Sequence, residues 1–166
     1  MSVKVTKDNT DALVKAVRSL TSKELLIGIP ATKGVDRQKE EGEKLPLSNA
    51  LLGYIHEFGE PDRNIPPRPV LVPGVESEMR RITKALEGAG KAALSGNLAA
   101  VDDGFAAAGL IAVAGVQNYI TNADLAALSP VTLARRKAKG YISERPLVVT
   151  GQYRRSFKYV VTTKGK

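Results

Sequence analysis

The chain has 166 residues, a single histidine, no cysteine and a net charge of +8. Without cysteine it cannot form disulfides, zinc–thiolate sites, iron–sulfur clusters or a thiol nucleophile, and its length predicts a single domain over residues 1–166 with a core of its own. The positive charge permits an acidic partner and has two interpretations: a surface that binds nucleic acid, or the general basic bias of a protein that works beside nucleic acid inside an assembly. No apolar run follows the charges at the N-terminus, so we expect no secretory signal.

The chain begins with a predicted helix, strand and loop. Asp8 or Thr10 can cap a helix that runs to about Leu20. The apolar face of this helix comprises Leu13, Ala16, Val17 and Leu20. KELLIGIP, at 23–30, then alternates in the manner of a strand. One side of that strand carries Leu25, Ile27 and Ile29. Residues 31–47 are rich in charge and glycine, which predicts a long, exposed and mobile loop.

The next predicted helix carries the only histidine. Ser48 is a good N-cap for a helix over 49–58, and Gly59 is the residue expected just past its end. The apolar face of this helix comprises Leu51, Ile55 and Phe58. His56 and Glu57 lie on other faces and diverge, although they are neighbours in the chain.

The segment 60–70 is rich in proline and predicts an extended connection. Within it, IPPRP at 65–69 cannot be helical, because each prolyl ring restricts itself and the residue before it to extended geometry. We therefore expect a stiff strut, which is a candidate contact segment because a preorganised segment loses little entropy when it docks.

Two long helices and a final strand follow. One helix is predicted from about Pro73 to Leu94, and a second over 98–121 with glycines and alanines that allow close helix packing. The apolar stripe of the second helix comprises Val101, Phe105, Ala108, Ala112, Val116 and Ile120. Ser129 caps a short helix that Gly140 ends, and residues 156–163 alternate like a strand. The predicted fold class is α+β: two long packed helices with a small antiparallel sheet and a long mobile loop.

The residues do not combine into a known catalytic or cofactor pattern. A zinc site of the H-E-x-x-H type needs a second imidazole, yet Glu60 lies four residues beyond His56. The chain contains no G-x-S-x-G elbow and no glycine-rich phosphate loop. Paired carboxylates, such as Asp102 with Asp103 or Glu57 with Glu60, lie at helix ends or in loops, where they usually cap or solubilise. We therefore expect no enzyme activity, no metal and no cofactor.

A C-terminal run, TGQYRRSFKYVV, mixes aromatic and basic side chains. Its aromatic members are Tyr153, Phe157 and Tyr159, and its cations are Arg154, Arg155 and Lys158. Aromatic rings among cations can stack on bases while the cations neutralise phosphates. The structural alternative is a turn and strand whose aromatic rings belong to the core and whose cations form the rim.

Four segments, taken in order, resemble one protein family. They are A-x-x-G-Y-I-H-E-F-G at 50–59, I-P-P-R-P at 65–69, L-S-P-V-T-L-A-R-R-K at 128–137 and R-P-L-V-V-T-G-Q-Y-R-R-S at 145–156. Together they are similar to the tail-completion and head–tail joining (neck) proteins of tailed bacteriophages, with Val70 where a phenylalanine is more usual.

The resemblance implies a non-enzymatic assembly protein of a phage or prophage, found in the virion and, during assembly, in the host cytoplasm. It also implies that Phe58 packs its helix onto the core, that Gly59 permits the turn and that the strut presents Arg68. Its expected partners are other neck or tail proteins and further copies of itself in a ring, with non-specific DNA contact as a further contact and no membrane contact. The candidate interaction residues are Phe58, Gly59, Pro66, Pro67, Arg68, Pro69, Arg154, Arg155, Phe157 and Tyr159. The alternative function is a DNA-binding protein that uses the basic and aromatic C-terminal run.

Overall fold

A computed structural model describes residues 10–31 and 48–164. These residues form a mixed α+β fold in which seven α-helices, the longest of them packed together, accompany a two-stranded antiparallel sheet, so the predicted fold class is confirmed. The elements are α1 (Thr10–Ser22), β1 (Lys23–Gly28), α2 (Asn49–Phe58), a 3-10 turn (Pro61–Arg63), α3 (Leu71–Glu76), α4 (Met79–Leu94), α5 (Leu98–Asn122), α6 (Pro130–Ala138), α7 (Gln152–Ser156) and β2 (Lys158–Thr163). The predicted mobile loop lies, apart from Ala31, outside the described residues.

The chain divides into two compact units. The first unit comprises the described residues of 1–26, 79–111 and 159–166, and the second comprises those of 27–78 and 112–158. Each unit has a hydrophobic cluster of its own. The prediction of a single domain over the whole chain stays a prediction.

The core of the first unit lies between helices with small side chains. Ala16 of α1, Ala89 of α4 and Phe105 of α5 are buried together, and Leu25 of β1 packs against them. Gly104 makes this packing possible, because a Cβ there would lie 2.7 Å from the Cβ of Ala89. The predicted close approach of the two long helices is therefore confirmed.

The core of the second unit collects residues that are far apart in sequence. Val70, Val116, Ile120 and Phe157 are buried there. Gly74 of α3 lies directly on α5, where a Cβ would be 2.6 Å from the Cα of Val116. Only glycine fits this contact.

Helix α5 is the element that the sequence predicts best. All six residues of its predicted stripe are at most 8% exposed. Within the part of the chain that the structure describes, it is also the one helix long and apolar enough to cross a membrane by length and composition. A buried stripe of this kind is equally the pattern of a core helix, and the absence of membrane contact stays a prediction.

Three predicted boundaries are wrong. The helix predicted from Pro73 to Leu94 is two helices, α3 and α4, which are separated at 77–78. The segment 60–70 is not extended throughout, because a 3-10 turn at 61–63 lies between the bridged residues Glu60 and Ile65. The strand predicted at 156–163 begins at 158, since α7 occupies the residues before it.

Candidate interaction surface

The block at 50–59, which carries the resemblance, forms α2 with both predicted caps. The Ser48 hydroxyl accepts from the Leu51 N–H at 3.2 Å and so satisfies one of the free donors at the helix start. Gly59 ends the helix with φ of 78°, a value that favours glycine. A Cβ on Gly59 would also lie 2.8 Å from the Ile65 carbonyl oxygen. The connection that follows can therefore turn back tightly onto α2.

Glu57 joins the end of α2 to the start of α3. Its carboxylate accepts hydrogen bonds from three consecutive backbone N–H groups, those of Val70 at 2.9 Å, Leu71 at 3.1 Å and Val72 at 3.3 Å. These are free donors of a helix start, where a negative charge is also favoured by the helix dipole. No local sequence pattern predicts that Glu57 caps this helix, because its partners lie 13 to 15 residues further along the chain.

Arg68 is clamped inside the second unit rather than presented by the strut. Its side chain is buried, with the residue only 7% exposed. It donates from Nε to the Ala126 carbonyl at 2.6 Å and from Nη2 to the Ala127 carbonyl at 2.9 Å. Its backbone N–H donates to the His56 carbonyl at 2.6 Å. The prediction of an exposed Arg68 is wrong, because backbone carbonyls outside any helix need the donors that the guanidinium supplies.

The prolines of the strut have a different exposure from its arginine. Pro66, Pro67 and Pro69 are all exposed. The strut therefore faces outward with its prolyl rings and inward with Arg68.

His56 belongs to a cluster of three rings that meet edge to face. Its ring meets Tyr153 edge-on at a centroid distance of 5.2 Å, and Tyr153 meets Phe157 in the same way at 5.2 Å. Burial, and after it the positive charge of Arg68, lowers the pKa of His56 to about 4. Burial, and after it the charge of Glu57, raises the pKa of the Tyr153 hydroxyl. The imidazole and the phenol are therefore both neutral at physiological pH.

An aromatic patch lies on the outer side of α2. We define it as Tyr54, Phe58 and Val72, which are 63%, 65% and 56% exposed. The rings of Tyr54 and Phe58 are 4.8 Å apart between centroids, and all three residues line a hollow of about 290 Å³. The expectation that Phe58 packs the helix onto the core is wrong, since the buried contacts of α2 lie on its Asn49 and Gly53 side. The sequence signal for this ring contact was the spacing, because side chains four residues apart lie on the same face of a helix.

The C-terminal run turns its aromatic rings inward. Phe157 is 2% exposed, and Tyr153 packs against the same core cluster. In the first unit, the Tyr159 ring covers Gly109. Arg154 and Arg155 are exposed but anchored: Arg154 donates to the Thr121 hydroxyl at 3.1 Å, and Arg155 donates to the Thr150 carbonyl at 3.2 Å. The interpretation of the rings as core and the cations as rim is confirmed for Phe157, Arg154 and Arg155, whereas Tyr153 and Tyr159 are half-buried.

The paired carboxylates Glu57 and Glu60, for which no acid–base role was predicted, have structural partners. Glu57 caps α3, and Glu60 lies 3.4 Å from the Arg63 guanidinium. Within residues 10–31 and 48–164, no three metal-ligating side chains are close enough to share an ion. The chain matches no protein-family model, no curated protein and no solved structure.

Proposed function

We propose that this chain is a non-enzymatic assembly protein of a phage or prophage virion, which acts in tail completion or head–tail joining. One observation carries the proposal: the block that bears the resemblance forms a helix capped at both ends, with an aromatic patch on its outer side. Patches of exposed apolar side chains mark contact surfaces, and aromatic residues contribute a large share of the binding energy at such surfaces.

The scaffold under the patch is preorganised. Glu57 fixes α3 against the end of α2, and the Arg68 guanidinium fixes the strut. Val72 of α3 and Phe58 of α2 are therefore held side by side before any partner arrives. A preorganised surface loses little conformational entropy on binding, which suits a protein that must assemble once and stay assembled.

The proposed partners are other neck or tail proteins and further copies of this chain. In a closed ring of identical subunits, one surface of each copy contacts a different surface of the next copy. The aromatic patch and the exposed prolines of the strut supply one such surface. Strand β2 is the proposed second one, because a strand edge can accept a partner strand. The site of action is the virion, and the host cytoplasm during assembly.

DNA binding through the C-terminal run receives less support. Base stacking needs exposed rings, whereas Phe157 and Tyr153 belong to a core cluster. The exposed Arg154 and Arg155 leave only phosphate contacts, so non-specific DNA binding remains as an accessory contact. Affinity for duplex DNA measured against salt separates the two functions, since sub-micromolar binding near physiological salt with a steep slope favours the DNA function.

Deletion of the gene in its phage or prophage tests the proposal. We expect DNA-filled heads and separate tails that do not join, and rescue by the gene supplied on a plasmid. Normal numbers of tailed particles after deletion would show that the chain has another function. Empty heads would instead place its action in DNA packaging.

A further inference from the structure

The second unit contains a groove whose charged lining is entirely cationic. The groove has a volume of about 550 Å³ and is lined by α2, the strut, the start of α6 and the connection that precedes α7. Its charged residues are two arginines, Arg68 and Arg136, and among the described residues no aspartate or glutamate lines it; His56, which also lines it, is neutral at physiological pH. Because α6 starts at this groove, its dipole adds to the positive potential.

Arg68 is a buried cation without a counter-charge. It is 7% exposed, and no described carboxylate forms an ion pair with it. Its two side-chain hydrogen bonds go to neutral carbonyls, whereas a guanidinium has five N–H donors. Burial disfavours the charged form and lowers the pKa of Arg68 from its ordinary value. Buried charges in proteins are ordinarily paired, so this guanidinium is prepared for an anion.

The rest of the groove lining includes a second arginine, a histidine and apolar side chains. Arg136 donates from Nη1 to the carbonyls of Ser143 at 3.1 Å and Arg145 at 2.7 Å. The Nδ1 atom of His56 is buried and has no hydrogen-bond partner among the described residues. Leu52 and Leu147 form apolar parts of the wall. The groove thus offers fixed positive charge beside apolar surface.

We propose that this groove binds an acidic segment of a partner protein, with an aspartate or glutamate carboxylate that pairs with Arg68 and apolar neighbours that cover Leu52 and Leu147. A carboxylate matches the planar fork of a guanidinium and forms the strongest class of protein hydrogen bond. The proposal rests on the geometry of the groove and holds whichever assembly the chain serves.

A protein segment fits this groove better than duplex DNA does. Arg68 is 7% exposed and lines the groove, so a partner must enter the groove to reach its guanidinium. A carboxylate at the end of a side chain on an extended segment can reach it. The apolar part of the wall also has no counterpart on a phosphate backbone.

The test is a titration of the isotope-labelled full-length protein followed by NMR. The probes are the peptide acetyl-Leu-Asp-Leu-Asp-Leu-amide, its Asn-for-Asp analogue, inorganic phosphate and a short DNA duplex. We expect the acidic peptide to shift groove amides such as those of Asn64 and Thr132 in a saturable manner. The Asn analogue should bind at least about 10-fold more weakly, because it loses the charge-assisted bond.

One substitution tests the charge without removal of a structural arginine. Asn64 is exposed at the groove with φ of 52°, a conformation that aspartate also tolerates. Asn64→Asp should lower the affinity for the acidic peptide by about 3- to 5-fold, because the added negative charge repels the peptide. The matched control, Asn118→Asp, makes the same charge change at an exposed position on α5 that does not line the groove, and should leave binding unchanged.

Each other outcome overturns the proposal. An absent or unsaturable groove response to the acidic peptide at millimolar concentration would do so, as would equal affinity for its Asn analogue. Groove shifts produced by phosphate but not by the peptide would identify a site for free anions. Tighter groove binding of the duplex would identify a DNA surface. Equal weakening by Asn64→Asp and Asn118→Asp would show that only overall charge matters.

Discussion

At the residue scale, several arginines of this basic chain hold the protein's own backbone. Arg68, Arg136, Arg145 and Arg155 each donate to backbone carbonyl oxygens. The Thr121 carbonyl lies in the last turn of α5 and the others lie in connections between helices, and in neither place does a helical hydrogen bond satisfy them. Part of the +8 charge therefore has a structural use, and net charge alone overstates the case for a nucleic-acid partner.

Glu57→Gln tests the cap that starts α3. The amide keeps one acceptor oxygen but loses the charge and the second oxygen, which serve three N–H groups. We expect the free energy of unfolding to fall by about 1–2 kcal/mol, measured by urea denaturation. Glu76→Gln is the matched control, since Glu76 is exposed, and it should change stability by less than about 0.5 kcal/mol. Equal effects of the two changes would contradict the cap.

His56 predicts a pH dependence of stability. Its pKa falls from the ordinary 6.5 to about 4 on folding, so between these pH values the unfolded state binds more protons than the native state. Stability is therefore unaffected by this residue above pH 6.5 and falls as the pH drops toward 4, by up to about 3 kcal/mol. The measurement is urea denaturation of the wild type and His56→Gln between pH 7 and 4.

The difference between the two proteins isolates His56 from the carboxylates that titrate in the same range. We expect His56→Gln to fold and to assemble at neutral pH, because the imidazole has no catalytic partner. Its stability should fall less steeply with acid than that of the wild type. Parallel curves would show that His56 does not titrate on unfolding, and a folded variant that fails to assemble would show that the imidazole has a further role.

At the element scale, the sequence predicted those helices whose ends carry their own signals. Ser48 with Gly59, and Ser129 with Gly140, placed α2 and α6 within a residue or two. The start of α3 at Leu71 was missed because its cap is Glu57, which is distant in sequence. The exposure of Phe58 was missed for a related reason: which face of α2 is buried depends on contacts with Ile29 and Tyr153, which no local pattern encodes.

Two glycines in helices have opposite roles and give a matched pair. Gly74 of α3 lies against Val116 of α5, so Gly74→Ala forces these two helices apart. The substitution should lower the free energy of unfolding by about 2 kcal/mol or more. Gly88 of α4 has no heavy atom within 4 Å of the position of an added Cβ, so Gly88→Ala should stabilise by about 0.5–1 kcal/mol. Thermal unfolding followed by circular dichroism measures both. A neutral or stabilising Gly74→Ala would show that α3 does not pack on α5 as described.

At the scale of the whole molecule, the burial of Arg68 and Phe157 decides which variants can test assembly. Arg68→Glu and Phe157→Ser look like contact variants from sequence, since both residues lie in segments that carry the resemblance. Arg68 is clamped to two carbonyls, and Phe157 is 2% exposed in a core cluster. Either substitution would damage the fold of the second unit, so a loss of assembly would not identify a contact surface. The aromatic patch supplies residues that are free of this ambiguity.

The most direct test of the account is Phe58→Ser, compared with Phe58→Leu, in a phage or prophage whose own gene is deleted. Phe58 is 65% exposed, so both variants should fold, with a loss of stability below about 1 kcal/mol. Electron microscopy then counts DNA-filled heads that carry tails. We predict that Phe58→Ser lowers the count at least about 10-fold, as expected for the loss of a central aromatic contact, and that Phe58→Leu keeps most of it. A folded Phe58→Ser protein that yields wild-type numbers of tailed particles would contradict the claim that this chain assembles through its aromatic patch.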